Sequence, residues 1–200
     1  MLREELENAV REERVLSERK FEGEEIDGLS CRGLELGGVV FQGCRLINCD
    51  FSGASFCGGA FLDCDLSNSV FEGSYWKSMR LSGCKAKGSI FAGAVFKWMT
   101  AEKCQMDYGN FSESLWEFCR AEECCFREAF FSRVKFKKME VSRTDFTRAD
   151  FFKTPLKGMD FSDCVLEQIA VSDAFEELRG VKVNLFQAAE LARLLGVKIV

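Results

Sequence analysis

The sequence predicts an all-β fold: a quadrilateral parallel β-helix closed by a short helix at each end. Three observations predict it. Bulky apolar residues recur at every fifth position, small residues recur two positions before each of them, and residue types repeat in columns spaced by 20. Two hundred residues with 47% hydrophobic content suit one domain with a full core.

The bulky series starts at Phe21 and runs through Ile26, Cys31, Leu36 and Phe41 to Phe161, Leu166 and Val171. It holds 31 positions, none polar, and takes 15 of the 20 phenylalanines of the chain. A period of five is neither the 3.6 of an amphipathic helix nor the 2 of a half-buried strand. Internal repetition therefore has to explain it. The second series includes Cys44, Cys49, Ala54, Gly59, Cys64, Ser69 and Ser74 and persists to Cys164. One bulky and one small inward residue per five is the pattern of a solenoid side. The remaining three positions carry nearly all the charge, as solvent-facing positions should. Glycine gathers two residues after the bulky position in the first half, at Gly23, Gly28, Gly33, Gly38, Gly43, Gly53 and Gly58, where the chain has to turn a corner.

Columns fix the number of sides. Phe51, Phe71, Phe91, Phe111, Phe131 and Phe151 form one column; Phe56, Trp76, Phe96, Trp116 and Phe136 form another; Cys44, Cys64, Cys84, Cys104 and Cys124 form a third. A fourth trades volume, with Met79, Met99 and Met139 at the small site beside Leu81, Ala101 and Val141 at the bulky one. A close-packed core requires such exchange. Twenty residues thus make one coil of four sides, with coils stacked at about the 4.8 Å β-ladder spacing.

Fragments such as Cys49-Asp50-Phe51-Ser52-Gly53 and Ala149-Asp150-Phe151 resemble the A(D/N)LXX motif of the pentapeptide-repeat family, and the resemblance runs from Phe21 to Val171. Leu29, Leu34, Val39 and Met79 depart from it, being larger than the usual small residue. The resemblance implies a right-handed quadrilateral β-helix. It also implies a bacterial-type interaction protein. Some family members imitate B-DNA and bind DNA gyrase, and related quinolone-resistance proteins dimerise through their C-terminal ends.

Both ends of a solenoid expose its core and need caps. The expected division is a capping segment over 1–20, repeats over 21–175 and a capping helix and strand over 176–200. Leu2, Leu6, Ala9 and Val10 lie at helical spacing at the start. Near the end, Asn184 reads as an N-cap and Gly196 as a C′ residue for a helix over 185–195. Leu185, Ala188, Leu191, Ala192 and Leu195 would lid the last coil, while Phe186 and Leu194 would point away as candidate residues of an end-to-end homodimer. Val197 to Val200 reads as a short strand.

Catalysis finds no foothold, and no catalytic, cofactor-binding or metal-binding residues are expected. Histidine is absent, removing the commonest general base, and no GxSxG, P-loop or GxGxxG context occurs. Eight of the eleven cysteines occupy the small inward position, where free thiols pack as small hydrophobes, and no CxxC zinc spacing is present. The start has no apolar signal region and no apolar run approaches membrane-spanning length, so a cytoplasmic protein with no membrane partner is expected.

The surface carries the functional expectation. Outward Val95 and Trp98 should stack beside Leu115 and Phe118 one coil on, with Tyr75 extending the strip: a candidate partner-binding surface. Between 21 and 171 there are 22 acidic and 18 basic side chains, a weak imbalance for a DNA mimic. Arg133, Lys135, Lys137, Lys138, Arg143, Arg148, Lys153 and Lys157 form a belt against only Glu140, Asp145 and Asp150. Because that belt should wrap around all sides, direct nucleic-acid binding is not expected. The reading is a rigid, non-catalytic protein–protein interaction scaffold, with a gyrase-directed DNA mimic as the alternative.

Overall fold

The computed structural model describes residues 2–198, and within them the chain winds as a four-sided parallel β-helix. Strands on the first side (Leu16–Ser17, Glu35–Gly37, Ser55–Cys57, Tyr75–Lys77, Val95–Lys97, Leu115–Glu117, Lys135–Lys137) form one seven-stranded ladder. Strands on the second side, from Lys20–Glu22 to Glu140–Ser142, form another. On the third and fourth sides the ladder is built mostly of single bridges, such as Arg45↔Asp65 and Asp50↔Val70. Register is held at 20 residues throughout these sides, as in Val95↔Leu115 and Leu81↔Ala101.

The five-residue series points inward. All of its members are buried except Phe136, Val141 and Val171, which are half-buried. In the column Phe51–Phe71–Phe91–Phe111–Phe131–Phe151, successive ring centroids lie 4.9–5.3 Å apart at interplanar angles of 3–11°. Parallel-displaced rings of this kind contribute beyond the area they bury. Where the column holds tryptophan, the small inward position holds serine for a reason. Trp76 Nε1 donates to Ser74 Oγ at 2.8 Å and Trp116 Nε1 to Ser114 Oγ at 3.0 Å, so neither indole N–H is buried without a partner. Leu29, Leu34, Val39 and Met79 are accommodated with the ladder intact on either side.

From Glu18 to Gly158 each side ends on a residue in the left-handed region. Glycine fills this corner at Gly23 through Gly43 and at several later coils, but from Trp98 to Lys153 every corner carries a side chain, with φ between 46° and 61°. Each such residue costs roughly 1 kcal/mol relative to its relaxed conformation, so the C-terminal half trades backbone comfort for side-chain content at its corners.

Helix α1 (Leu2–Arg11) covers the first coil with Leu2, Leu6 and Ala9, and Val10 packs at its edge. At the other end the regular winding breaks at Pro155. On the first side each strand from Ser55 to Lys135 opens with an N–H donated to the coil before, as Lys135 does to Ser114 O at 3.0 Å. Proline has no such hydrogen, and the first-side ladder stops at Lys135–Lys137. Asp160 then pairs onward with Lys182, two residues beyond the 20-residue register, and the second-side ladder stops at Glu140–Ser142. The extra residues fall between Ala170, still in register with Phe151, and Glu177, whose carbonyl accepts from Leu156 N.

Helix α2 (Leu185–Leu194) corrects the expected lid. Asn184 and Gln187 form a reciprocal cap, and Gln187 Nε2 donates to the carbonyls of Phe161 (2.7 Å) and Cys164 (2.5 Å). These bonds turn Gln187 and Leu191 toward the coil. Leu185 (81% exposed), Ala188 and Leu195 are left outside, although apolar spacing favours them for the covering face. Phe186 is 84% exposed, pointing away as expected. Val197 and Lys198 show no strand, and the rest of the expected terminal strand lies outside the described residues.

Candidate docking face

The first side and its two bounding corners collect the expected strip. Tyr75, Val95 and Leu115 are half-buried outward residues in consecutive register, and Lys135 follows them. Trp98 and Phe118 occupy the corner after this side at φ 50° and 56°, are 49% and 43% exposed, and stack at 5.8 Å with an interplanar angle of 10°. Lys77 Nζ stands 5.8 Å from the Trp98 ring centroid and Lys138 Nζ stands 4.6 Å from that of Phe118. The corner is therefore a column of two rings with an ammonium at each end, a cation–π arrangement.

Charge is distributed unlike the expected belt. Every arginine of the chain is ion-paired; Arg133 with Glu113 (3.3 Å), Arg148 with Glu128 (3.7 Å) and Arg143 with Glu122 and Glu123 are the belt's own cases. Lys135, Lys137, Lys138, Lys153 and Lys157 have no carboxylate within salt-bridge distance among the described residues, and all five lie on the first side or its corners. Only the arginines of the belt spread around the rod; its unneutralised lysines gather on one side. The five-residue register carries this information, since positions flanking every fourth bulky residue share a side, but reading the belt by sequence span alone obscures it.

Beyond these lysines a cleft of about 890 Å³ opens between Phe152–Lys157 and the 172–180 segment. Its wall is fixed by Glu177, a buried carboxylate accepting from Lys153 N at 2.7 Å and from Ser172 N and Oγ at 3.2 and 2.9 Å. Burial pushes this carboxyl up, and hydrogen bonds from its own N–H, from Lys153 and from Ser172 more than offset that, leaving it below its ordinary range.

A second apolar column escapes the sequence reading. Val70, Ile90 and Phe130 face outward on the fourth side in ladder register with Asn110, and Ile90 and Phe130 are 37% and 49% exposed. Apolar residues at outward positions 20 or 40 apart are the signal that could have found it.

All eleven cysteines are free thiols, nine buried and two, Cys57 and Cys125, half-buried. Burial pushes Cys31 and Cys164 up to about 12. In the inner column, hydrogen bonding between neighbouring thiols together with burial pushes Cys64 and Cys104 up as well. No group of three or more His, Cys, Asp or Glu among the described residues is placed to hold a metal ion, and no described helix is long and apolar enough to cross a membrane.

The profile of the family described as pentapeptide repeats matches residues 35–73 and 129–168, with eight copies. No curated protein matches the sequence. Among solved structures, the chain is similar to trypsin-treated QnrB1, a plasmid-mediated fluoroquinolone resistance protein, at 22% identity and TM-score 0.49, covering 93% of this chain and 98% of that one. It is similar to HetL, a pentapeptide repeat protein involved in heterocyst differentiation regulation in the cyanobacterium Nostoc sp., at 11% identity and TM-score 0.43, covering 86% of each chain. A pentapeptide repeat protein of the Arabidopsis thaliana thylakoid lumen matches at 16% identity and TM-score 0.39, covering 64% of this chain and 68% of that one.

Proposed function

We propose that this chain, which matches the pentapeptide-repeat profile over residues 35–73 and 129–168, is a non-catalytic scaffold whose first side docks a protein partner. One observation carries the reading. Trp98 and Phe118 sit at corner positions where glycine is the least strained residue, and both remain nearly half exposed there. Large aromatics in the left-handed region carry a steric cost that a core residue would offset by full burial. These recover only a mutual stack and two ammonium contacts. An external partner completes the burial.

The test is the Trp98→Ser/Phe118→Ser double variant. Docking predicts a melting temperature within about 3 °C of wild type, roughly 1 kcal/mol for a chain of this size, together with loss of the partner that immobilised wild-type protein retains from source-cell extract. A fall of 10 °C or more would assign the pair to stability instead.

The alternative, a gyrase-directed DNA mimic, requires a continuous acidic stripe. The lysines of the first side interrupt one there. Gyrase supercoiling with and without ciprofloxacin separates the readings: protection of the enzyme favours the mimic, and no effect at micromolar protein retires it.

We also propose that α2 joins two copies end to end. Leu185 and Phe186 at the start of α2 and Leu195 and Val197 past its end are each at least half exposed, with Leu194 partly exposed, apolar area that a second copy would cover.

A further inference from the structure

We propose that the partner segment received by the first side is acidic and extended, lying over Lys135, Lys137 and Lys138 and reaching the cleft beyond Lys153 and Lys157; this rests on the docking reading above. Elsewhere the rod neutralises most of its bases across the ladder. Lys97 meets Glu117 at 3.2 Å, Lys87 meets Asp107 at 3.6 Å and Arg80 meets Glu102 at 3.2 Å. In the last two coils of the first side this habit is abandoned. Lys135 and Lys137 flank one inward Phe136, and Lys157 comes 20 residues after Lys137, just past the end of the ladder and on the wall of the cleft. Glu117, the ladder neighbour of Lys137, is already paired with Lys97, so this row of like charges is stabilised by anions supplied from outside.

The carboxylates near the cleft do not supply them. Glu177 is committed to the Lys153 and Ser172 backbone, and Glu176 to Arg179 at 3.7 Å, leaving Asp173 as the one carboxylate lining the cleft with neither an ion pair nor a side-chain hydrogen bond among the described residues. The cleft follows the lysine row directly: the two extra residues fall between Ala170 and Glu177, and the segment beyond them is tied to Leu156 N and Gly158 N through the carbonyls of Glu177 and Gly180, with the cleft open beside it. A row of lysines opening into a cleft along one edge of a rod fits an extended chain better than a compact surface.

Nucleic acid is the other polyanion such a row could attract. Single strands gain much of their affinity by stacking bases on aromatic faces. Here those faces are taken: the Trp98 and Phe118 rings cover each other, and Lys77 and Lys138 stand over the outer sides. What remains outward is ring edge beside Leu115, which suits apolar side chains interspersed with carboxylates.

The experiment measures fluorescence anisotropy of a labelled 12-residue peptide of alternating Glu and Leu, titrated with the full chain, with a labelled 20-nucleotide single-stranded DNA as the second probe. Wild type is compared with Lys135→Glu/Lys137→Glu/Lys138→Glu, with the milder Lys→Gln triple at the same positions, and with a control reversal of Lys85, Lys87 and Lys103 around the third side; circular dichroism melts verify folding. The expected result is micromolar peptide binding that weakens with salt, falls at least tenfold in the first-side reversal, falls less in the Gln triple and changes under twofold in the control. Absence of peptide binding to wild type, equal losses in both reversals, or DNA bound as tightly as the peptide would each overturn it. Should the peptide fail while Trp98→Ser/Phe118→Ser still loses its partner, the docking face stands and the acidic ligand falls.

Discussion

The backbone N–H of Gly59 donates to the sulfur of Met79 one coil on, at 3.1 Å. Met79 belongs to the column in which methionine recurs at the inward site, with Met99 and Met139 above it, and Gly59 is the residue below it. A Cβ at position 59 would collide with the carbonyl oxygen of Val39 on the preceding coil. Glycine here answers the close approach of the Val39 backbone on the preceding coil.

Gly59→Ala should accordingly destabilise by several kcal/mol, as overpacking against a rigid backbone does. Gly53 offers the contrast: its φ is 68° and a methyl group there would meet nothing within 4 Å. Gly53→Ala should cost only about 1 kcal/mol, the backbone term alone. Urea unfolding of the two variants checks the order.

Thiol reactivity should divide by burial. Ellman titration of the native protein should find no more than the two half-buried thiols, Cys57 and Cys125, and all eleven after denaturation. Rapid native reaction of four or more would contradict a packed inner column.

Stability should fall in acid partly through Glu177. Its folded pKa is lowered, so its contribution is complete above the unfolded value of about 4.3 and is lost as pH drops through the folded one. Melting temperature measured from pH 7 to pH 3 should fall less steeply for Glu177→Gln than for wild type. Glu177→Ala, which leaves the N–H groups of Lys153 and Ser172 without their acceptor, should lower it even at pH 7.

End-to-end association should depend on α2. Light scattering at high concentration should give twice the 22.6 kDa chain mass for wild type and the single mass for Phe186→Glu. A monomer in both would remove the second copy.

Much of the fold was legible because a solenoid repeats its evidence. Thirty-one inward positions each report the same geometry, so columns such as Phe51–Phe71–Phe91 could be assigned without knowing any contact. The exposed strip was legible for the same reason: once inward positions are known, Trp98 and Phe118 must lie outside. The orientation of α2 was not legible. Apolar periodicity favoured Leu185 and Leu195, and the structure sets Gln187 against the coil, where its amide donates to the carbonyls of Phe161 and Cys164.

By itself the sequence determined the period, the four sides and the identity of nearly every core residue, because each coil must bury the same two positions per side whatever lies above it. Only the tertiary structure decided which charges neutralise one another and where the winding stops. Ion pairing joins residues on different coils, such as Arg127 and Asp145 at 2.6 Å. The end of the first-side ladder depends on one missing N–H at Pro155 meeting a carbonyl row that belongs to another coil.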